Sequence, residues 1–341
     1  MKSVNLDQLD REIIHALIID GRAPFSRIAT VVGVSEQTIA RRYRRMHGDG
    51  TVRVVGIADS QRLGESDWVI RLQCVPDAAA AVADALARRP DTSWVKVLSG
   101  GTEIGCMIKP IGGGARDDLL LRQLPASRRI VALSAHSLLH VFRGGPDHWA
   151  GATEALTPDQ AAALAQDATC SGGSSPARTT GPLPRAGTPL GPDDQTLMAE
   201  FARDGRASYA ELAQATHWHE STVRRRVEEL RAAGMLYLDV DVDEAAFGIK
   251  TQANLWMSVT PARLEAVGNA LAEHFEVPFA AATTGSSNLI ASVLCVDDQA
   301  LYRYLTERIA GLHGVTGLEV IPTIRNVKRA ATVLPPAVRA A

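Results

Sequence analysis

Cysteine is scarce in this sequence. Four occur in 341 residues (Cys74, Cys106, Cys170 and Cys295), and no two form a CxxC pair. That excludes a disulfide framework and a cysteine zinc site, and it suits a reducing compartment. Aromatic residues are few, at 5%. An excess of one charge is also missing: 36 Lys and Arg stand against 38 Asp and Glu, a formal net charge of −2. A chain basic throughout is excluded, although basic patches are not. No apolar run is long enough to span a bilayer and no signal peptide opens the chain, so a cytoplasmic protein without a membrane partner is expected. No Ser-His-Asp or paired-carboxylate arrangement stands out, so no enzyme, catalytic residue, cofactor or metal is expected. Gly112 to Gly114 read as a flexible turn, since no Lys-Ser/Thr follows them.

What the sequence does contain is a repeat. DGRA stands at 20–23 and again at 204–207. A displacement of 184 also matches Leu6 with Leu190, Asp10 with Asp194, Thr38-Ile39 with Thr222-Val223, Arg41-Arg42 with Arg225-Arg226, and Gly64 with Gly248. Beyond Gly64 the displacement becomes 185 and matches Pro76 with Pro261, Gly100 with Gly285, and Arg143 with Lys328. The chain is two diverged copies of one two-part unit. Between them, SGGSSPARTTGPLPRAGTP reads as a flexible linker. The preceding TPDQAAALAQ has an N-cap, a proline at the first helical position and good helix formers, so it reads as a short helix. The expected domains are 1–60, 65–144, a linker at 145–189, 190–244 and 249–333.

The first part of each copy has helical periodicity. Asp7 and Asp10 precede Ile13, Ile14, Leu17 and Ile18; Phe25, Ile28, Ala29 and Val32 share a second face; Gly33 turns the chain; Ser35 caps a third helix with Ile39, Tyr43 and Met46 inward. A strand, VRVVGIA, follows. This is the layout of a helix-turn-helix of winged type, whose third helix enters the major groove of double-stranded DNA. Ser35, Gln37, Thr38, Arg41, Arg42 and Arg45, with Ala40 and Arg44, are the expected outward set, Arg42 lying at its border. Gln can pair with adenine and Arg with guanine or phosphate. In the second copy the set is Ser221, Thr222, Arg224, Arg225 and Arg226. Glu228 and Glu229 replace Arg44 and Arg45, so weaker DNA contact is expected there.

The second part alternates like half-buried strands, at Trp68, Ile70, Leu72 and Cys74 and at Ala253, Leu255, Met257 and Val259. The order βαββαβ predicts a ferredoxin-like antiparallel sheet with both helices on one face, so the fold class is α+β, duplicated in tandem. Each sheet's other face needs cover, and the second module is expected to supply it.

LDREIIHALIIDGRAPFSRIATVVGVSEQTIARRYRRM and DDQTLMAEFARDGRASYAELAQATHWHESTVRRRVEEL, with the turns LSGGTEIG and TTGSSNLI, make the chain resemble the Lrp/AsnC (feast/famine) family of transcriptional regulators. The resemblance spans nearly the whole chain apart from the linker and the C-terminal tail. It implies DNA binding, a small-molecule effector such as an amino acid, and assembly into homo-oligomers. Family members usually carry one unit and dimerise, so this chain resembles a covalently joined dimer. The resemblance places the effector at the turn between the second and third strands, here Gly100 to Glu103 and Gly285 to Asn288. Both depart from the usual Gly-x-x-Asp. Glu103 and the Asn288 carbonyl could accept from an ammonium group. Siroheme decarboxylases share the architecture, and His136, His140, His274 and His313 keep a tetrapyrrole enzyme open as the alternative.

Overall fold

The computed structural model describes residues 6–109, 115–144, 154–170 and 190–334, the side chains of 115 and 166–170 excepted. The stretch SGGSSPARTTGPLPRAGTP, the glycines 112–114 and the side chain of Cys170 lie outside the described residues. The first copy runs α1 (Gln8–Ile19), α2 (Phe25–Val32), α3 (Glu36–Gly48), β1 (Val52–Ala58), β2 (Trp68–Cys74), α4 (Ala79–Ala87), β3 (Thr92–Leu98), β4 (Glu103–Ile108), α5 (Ala115–Asp118) and β5 (Ile130–Arg143). Next comes α6 (Pro158–Cys170). The second copy runs α7 (Pro192–Arg203), α8 (Tyr209–Thr216), α9 (Glu220–Ala232), β6 (Leu236–Val242), β7 (Thr251–Val259), α10 (Leu264–Ala272), β8 (Phe279–Thr283), β9 (Leu289–Cys295), α11 (Asp298–Arg303) and β10 (Val315–Lys328).

The copies do not fold side by side. Like parts associate: the described residues within 1–64 and 145–248 form one compact unit and those within 65–144 and 249–341 another. In the first, local chemistry sets the helices. Asp7 caps α1 by accepting from Asp10 N at 2.9 Å. Ser35 caps α3 by accepting from Thr38 N at 3.2 Å. Gly33 supplies the left-handed residue, φ +83, that ends α2. His219, standing where Ser35 stands, makes no side-chain cap. A lone strand leaves its backbone groups unpaired, and β1 resolves this by pairing antiparallel with β6. Val55 faces Asp239, its own equivalent under the 184 displacement, so the ribbon has a local two-fold at that point.

The repeated DGRA closes the same two-fold. Arg22 donates to the carbonyls of Gly205 and Ala207 at 2.9 and 3.0 Å. Arg206 donates to those of Gly21 and Ala23 at 2.7 and 3.0 Å. Each loop is thus held by the other's arginine. Arg206 lies over the rings of Phe25 and Tyr43, and Arg22 over those of Phe201 and Tyr209. Both guanidiniums are pulled below their ordinary pKa by burial. The loop glycines allow the approach: a Cβ on Gly21 or Gly205 would lie 2.9 Å from Val54 Cγ1.

The helix α6 packs on α1 and α2, and no helix in its place follows the second copy among the described residues. Leu164 of α6 and Leu156 just before it are buried. Gln160 donates to the Val31 carbonyl at 2.9 Å, and His15 Nδ1 accepts from Ala155 N and Leu156 N, both at 3.1 Å.

In the second unit each module has ferredoxin-like order, β3-β4-β2-β5 and β8-β9-β7-β10. The modules also share strands. β5 pairs first with β2 and then with β8, and β10 first with β7 and then with β3, closing all eight strands into a barrel. The expected cover of each sheet's open face is therefore joined by pairing at the edges, which removes exposed strand edges. The interior holds Val69, Leu98, Leu138, Trp256, Ala281, Ile290 and Ile321, and the helices cover two outer cores. No helix among the described residues is long and apolar enough to cross a membrane.

Candidate nucleic-acid interface and effector turns

The apolar faces of α3 (Ile39, Tyr43, Met46) and α9 (Val223, Val227, Leu230) are buried as the spacing requires. Their opposite faces are open. Ser35, Gln37, Arg41, Arg44 and Arg45 are exposed and Thr38 is half-buried. In α9, Ser221, Arg224 and Arg225 are exposed and Thr222 is half-buried. The Ser35 hydroxyl lies 2.9 Å from that of Thr38.

Two residues of the expected outward set turn inward. Arg42 donates to Asp7 and Asp10 at 2.5 and 3.0 Å. Arg226 grips Asp194 through Nε and Nη2 at 2.7 and 2.9 Å. These pairs tie the third helix to the first in each head, and each holds its carboxylate partner, Asp7 or Asp194, below the usual range. A third, Arg45, donates to Asp10 at 2.5 Å while remaining half exposed. The buried carboxylate Asp10 attracts both arginines because an unpaired buried charge is costly. Arg42 and Arg226 therefore brace the heads.

The remaining outward cations differ between the heads. Arg41 has no side-chain partner among the described residues, and Arg44 bonds only its own helix, at the Ala40 carbonyl. In α9, Arg225 is bonded to Glu229 at 2.6 Å, and Arg224 reaches Glu220 at 3.4 Å while stacking 4.4 Å over Tyr209.

The turns at 100–103 and 285–288 are also internally bonded. Gly100 has φ +70 and Gly285 φ +108, conformations glycine favours. Glu103 accepts from Arg71 Nε at 2.5 Å and from Ser99 Oγ at 3.0 Å. Arg71 also grips Glu319 in a two-point bond at 2.8 and 2.9 Å and lies 5.0 Å from the Trp256 ring centroid. Burial opposes the Arg71 charge, and its bonds to Glu319 and Glu103 more than offset this. Asn288 departs from the expectation that its carbonyl stands ready for a ligand. Its amide bonds both backbone groups of Val259, each at 2.8 Å, and staples the turn to β7. Arg71 and Trp256 are equivalent under the 185 displacement, a contact that periodicity alone could not reveal.

The four histidines do not form one constellation. His136 Nδ1 lies 2.7 Å from the Thr284 carbonyl, with its ring against Trp256. His140 sits edge-on to Phe142. His274 is buried against the Tyr304 hydroxyl at 2.9 Å, and burial lowers its pKa. His313 is exposed. No group of three His, Cys, Asp or Glu suited to a metal occurs among the described residues.

The AsnC-type helix-turn-helix domain matches residues 6–47 and again 193–231, and the Lrp/AsnC ligand binding domain matches 252–333. The HTH-type transcriptional regulator FL11 of Pyrococcus horikoshii is 25% identical over 141 residues, which is 41% of this chain and 93% of that protein. The HTH-type transcriptional regulator LrpA1 of Halobacterium salinarum is 24% identical over 124 residues, 36% of this chain and 87% of that protein. Among solved structures, siroheme decarboxylase NirDL superposes with a TM-score of 0.60 at 16% identity, covering 95% of this chain and 93% of that one. At that identity the likeness is one of fold.

Proposed function

The chain belongs to the Lrp/AsnC family of transcriptional regulators, and from that premise we propose that it binds double-stranded DNA through α3 and α9 and responds to a small metabolite. The observation that carries this reading is the pair of open helix faces, held about one local two-fold by β1, β6 and the DGRA loops. Two-fold sites on DNA want two reading heads, and here one chain supplies both. Gln37, Thr38 and Arg41, with Ser35 at the helix start, are the base- and phosphate-contacting candidates of the first head. Ser221, Thr222, Arg224 and Arg225 are those of the second.

The effector reading rests on Arg71, Glu103 and Glu319. A carboxylate ligand such as an amino acid would compete with half-exposed Glu319 for the Arg71 fork, and its ammonium group would meet Glu103. The Gly285 turn, tied by Asn288, is the weaker of the two. An effector acts by binding one arrangement of the heads better than another. Further chains would add to the assembly. Leu139 and Ile324, equivalent under the 185 displacement and both 59% exposed, offer an apolar pair for that contact.

The test is binding of the purified chain to its own upstream DNA across a salt series, beside an Arg41→Ala, Arg225→Ala double variant. Tight binding that weakens steeply with salt and is lost in the variant supports the reading. Feeble, equal binding by both proteins counts against it. The NirDL-like fold makes colour a useful control: a tetrapyrrole carried through purification would absorb in the Soret region and favour an enzyme instead.

A further inference from the structure

The two reading heads are built alike but charged differently. Residues 25–48, spanning α2 and α3, hold five arginines and one glutamate, formally +4. The equivalent residues 209–232 hold four arginines and four glutamates, formally zero. The structure makes this difference larger at the open faces. In the first head Arg41 and Arg44 have no carboxylate partner among the described residues. In the second, Arg224 and Arg225 are matched by Glu220 and Glu229, and exposed Glu228 occupies the place of Arg44. Base-reading chemistry differs too. Gln37 becomes Ser221, and Ala40 becomes Arg224, which is drawn onto the Tyr209 ring. The helix α6 adds a third difference, since it packs on α1 and α2 of the first head.

A dimer of identical chains must present identical heads, and its operator tends to be palindromic. Fusion removes that constraint. We propose that this chain recognises a non-palindromic DNA site, with one strongly specified half-site read by α3 and one degenerate half-site touched by α9, so that it binds in a single orientation. Gln37 and Arg41 carry the sequence preference of the first half, and Arg41 and Arg44 supply most of its phosphate contacts. Glu228 repels phosphate beside the second half, and Glu220 and Glu229 offset Arg224 and Arg225, so Ser221 and Thr222 approach the backbone with little net positive charge behind them. The inference rests on the DNA-binding reading above and deepens it.

The test is selection of the full chain against duplexes with a randomised segment of about 30 bp, enough for two half-sites a helical turn or two apart. The expected motif has two unequal halves. Arg41→Ala should erase the strong half's preference, and Arg225→Ala should leave it in place. A Glu228→Arg variant should bind more tightly, with a salt slope steeper by about one. A symmetric inverted repeat, weakened equally by either Arg→Ala change, would overturn the inference while leaving the DNA-binding reading intact. No enriched motif and no salt-dependent binding would remove both.

Discussion

If Arg22 and Arg206 hold the two heads together, removing one should destabilise that unit by an amount the geometry sets. Arg206 makes two bonds to buried loop carbonyls and lies over two rings. Bonds from a charged donor contribute about 1.5–3 kcal/mol each, and a desolvated ring contact about 2 kcal/mol. Against these stands the cost of burying the guanidinium, which removing it would recover. The net loss on Arg206→Ala is about 3 kcal/mol, near the upper end for single substitutions. With a urea slope of about 2 kcal/mol/M, the midpoint should fall by about 1.5 M. Exchange of the β1 and β6 amides during urea titration reports this unit directly. Arg206→Lys should recover less than half of the loss, because an ammonium cannot bridge both carbonyls as a planar fork does. The double variant with Arg22→Ala should cost more than the two single losses combined, since each single change also relieves the repulsion between the two cations and the double variant gains that relief only once. A midpoint within about 0.3 M of wild type for Arg206→Ala would refute the clasp as a source of stability.

Other parts of the structure give further expectations. A Cβ on Gly56 would lie 2.6 Å from Phe201 Cβ, so Gly56→Ala should cost about 1–3 kcal/mol in a thermal melt; an unchanged melt contradicts this packing. His15 accepts two backbone N–H bonds through Nδ1, and burial lowers its pKa from 6.5. The neutral ring is therefore the folded form, so docking of α6 is complete above about pH 6.5 and weakens as pH falls below it. Limited proteolysis should cut near α6 faster at about pH 5.5 than at about 7.5, and His15→Asn should flatten that dependence. The Asp194 carboxyl is held low by Arg226, so its contribution is present above the ordinary value of 3.8 and is lost as pH falls through the lowered one. Asp194→Asn should remove that part of acid unfolding; an identical acid titration would count against the brace.

Periodicity and caps made the helices, the strands and the duplication legible, because those signals are local. The exchange of strands was not, although its trace is in the sequence. β5 and β10 are each 14 residues long, about twice the length of β2 and β4, and that excess length is what pairs with the other module. The inward turn of Arg42 and Arg226 depends on Asp10 and Asp194, each 32 residues away. A helix-face count puts Arg42 at the border and cannot see that partner. The four residues were nonetheless among the pairs the repeat preserves, and that was the available signal. Arg22 and Arg206 were in plain view in DGRA itself, but a loop arginine says nothing of a partner until two loops meet. Ser35, Gln37, Thr38 and Arg41 lie on an open face because their environment is set by one helix alone.

Whether one chain carries a paired DNA reader is tested most directly by a hydroxyl-radical footprint on its own upstream DNA, with binding stoichiometry measured alongside. One chain should protect two backbone patches on the same face of the duplex, about one helical turn or a multiple of it apart. A single protected patch per chain, or none, would contradict it.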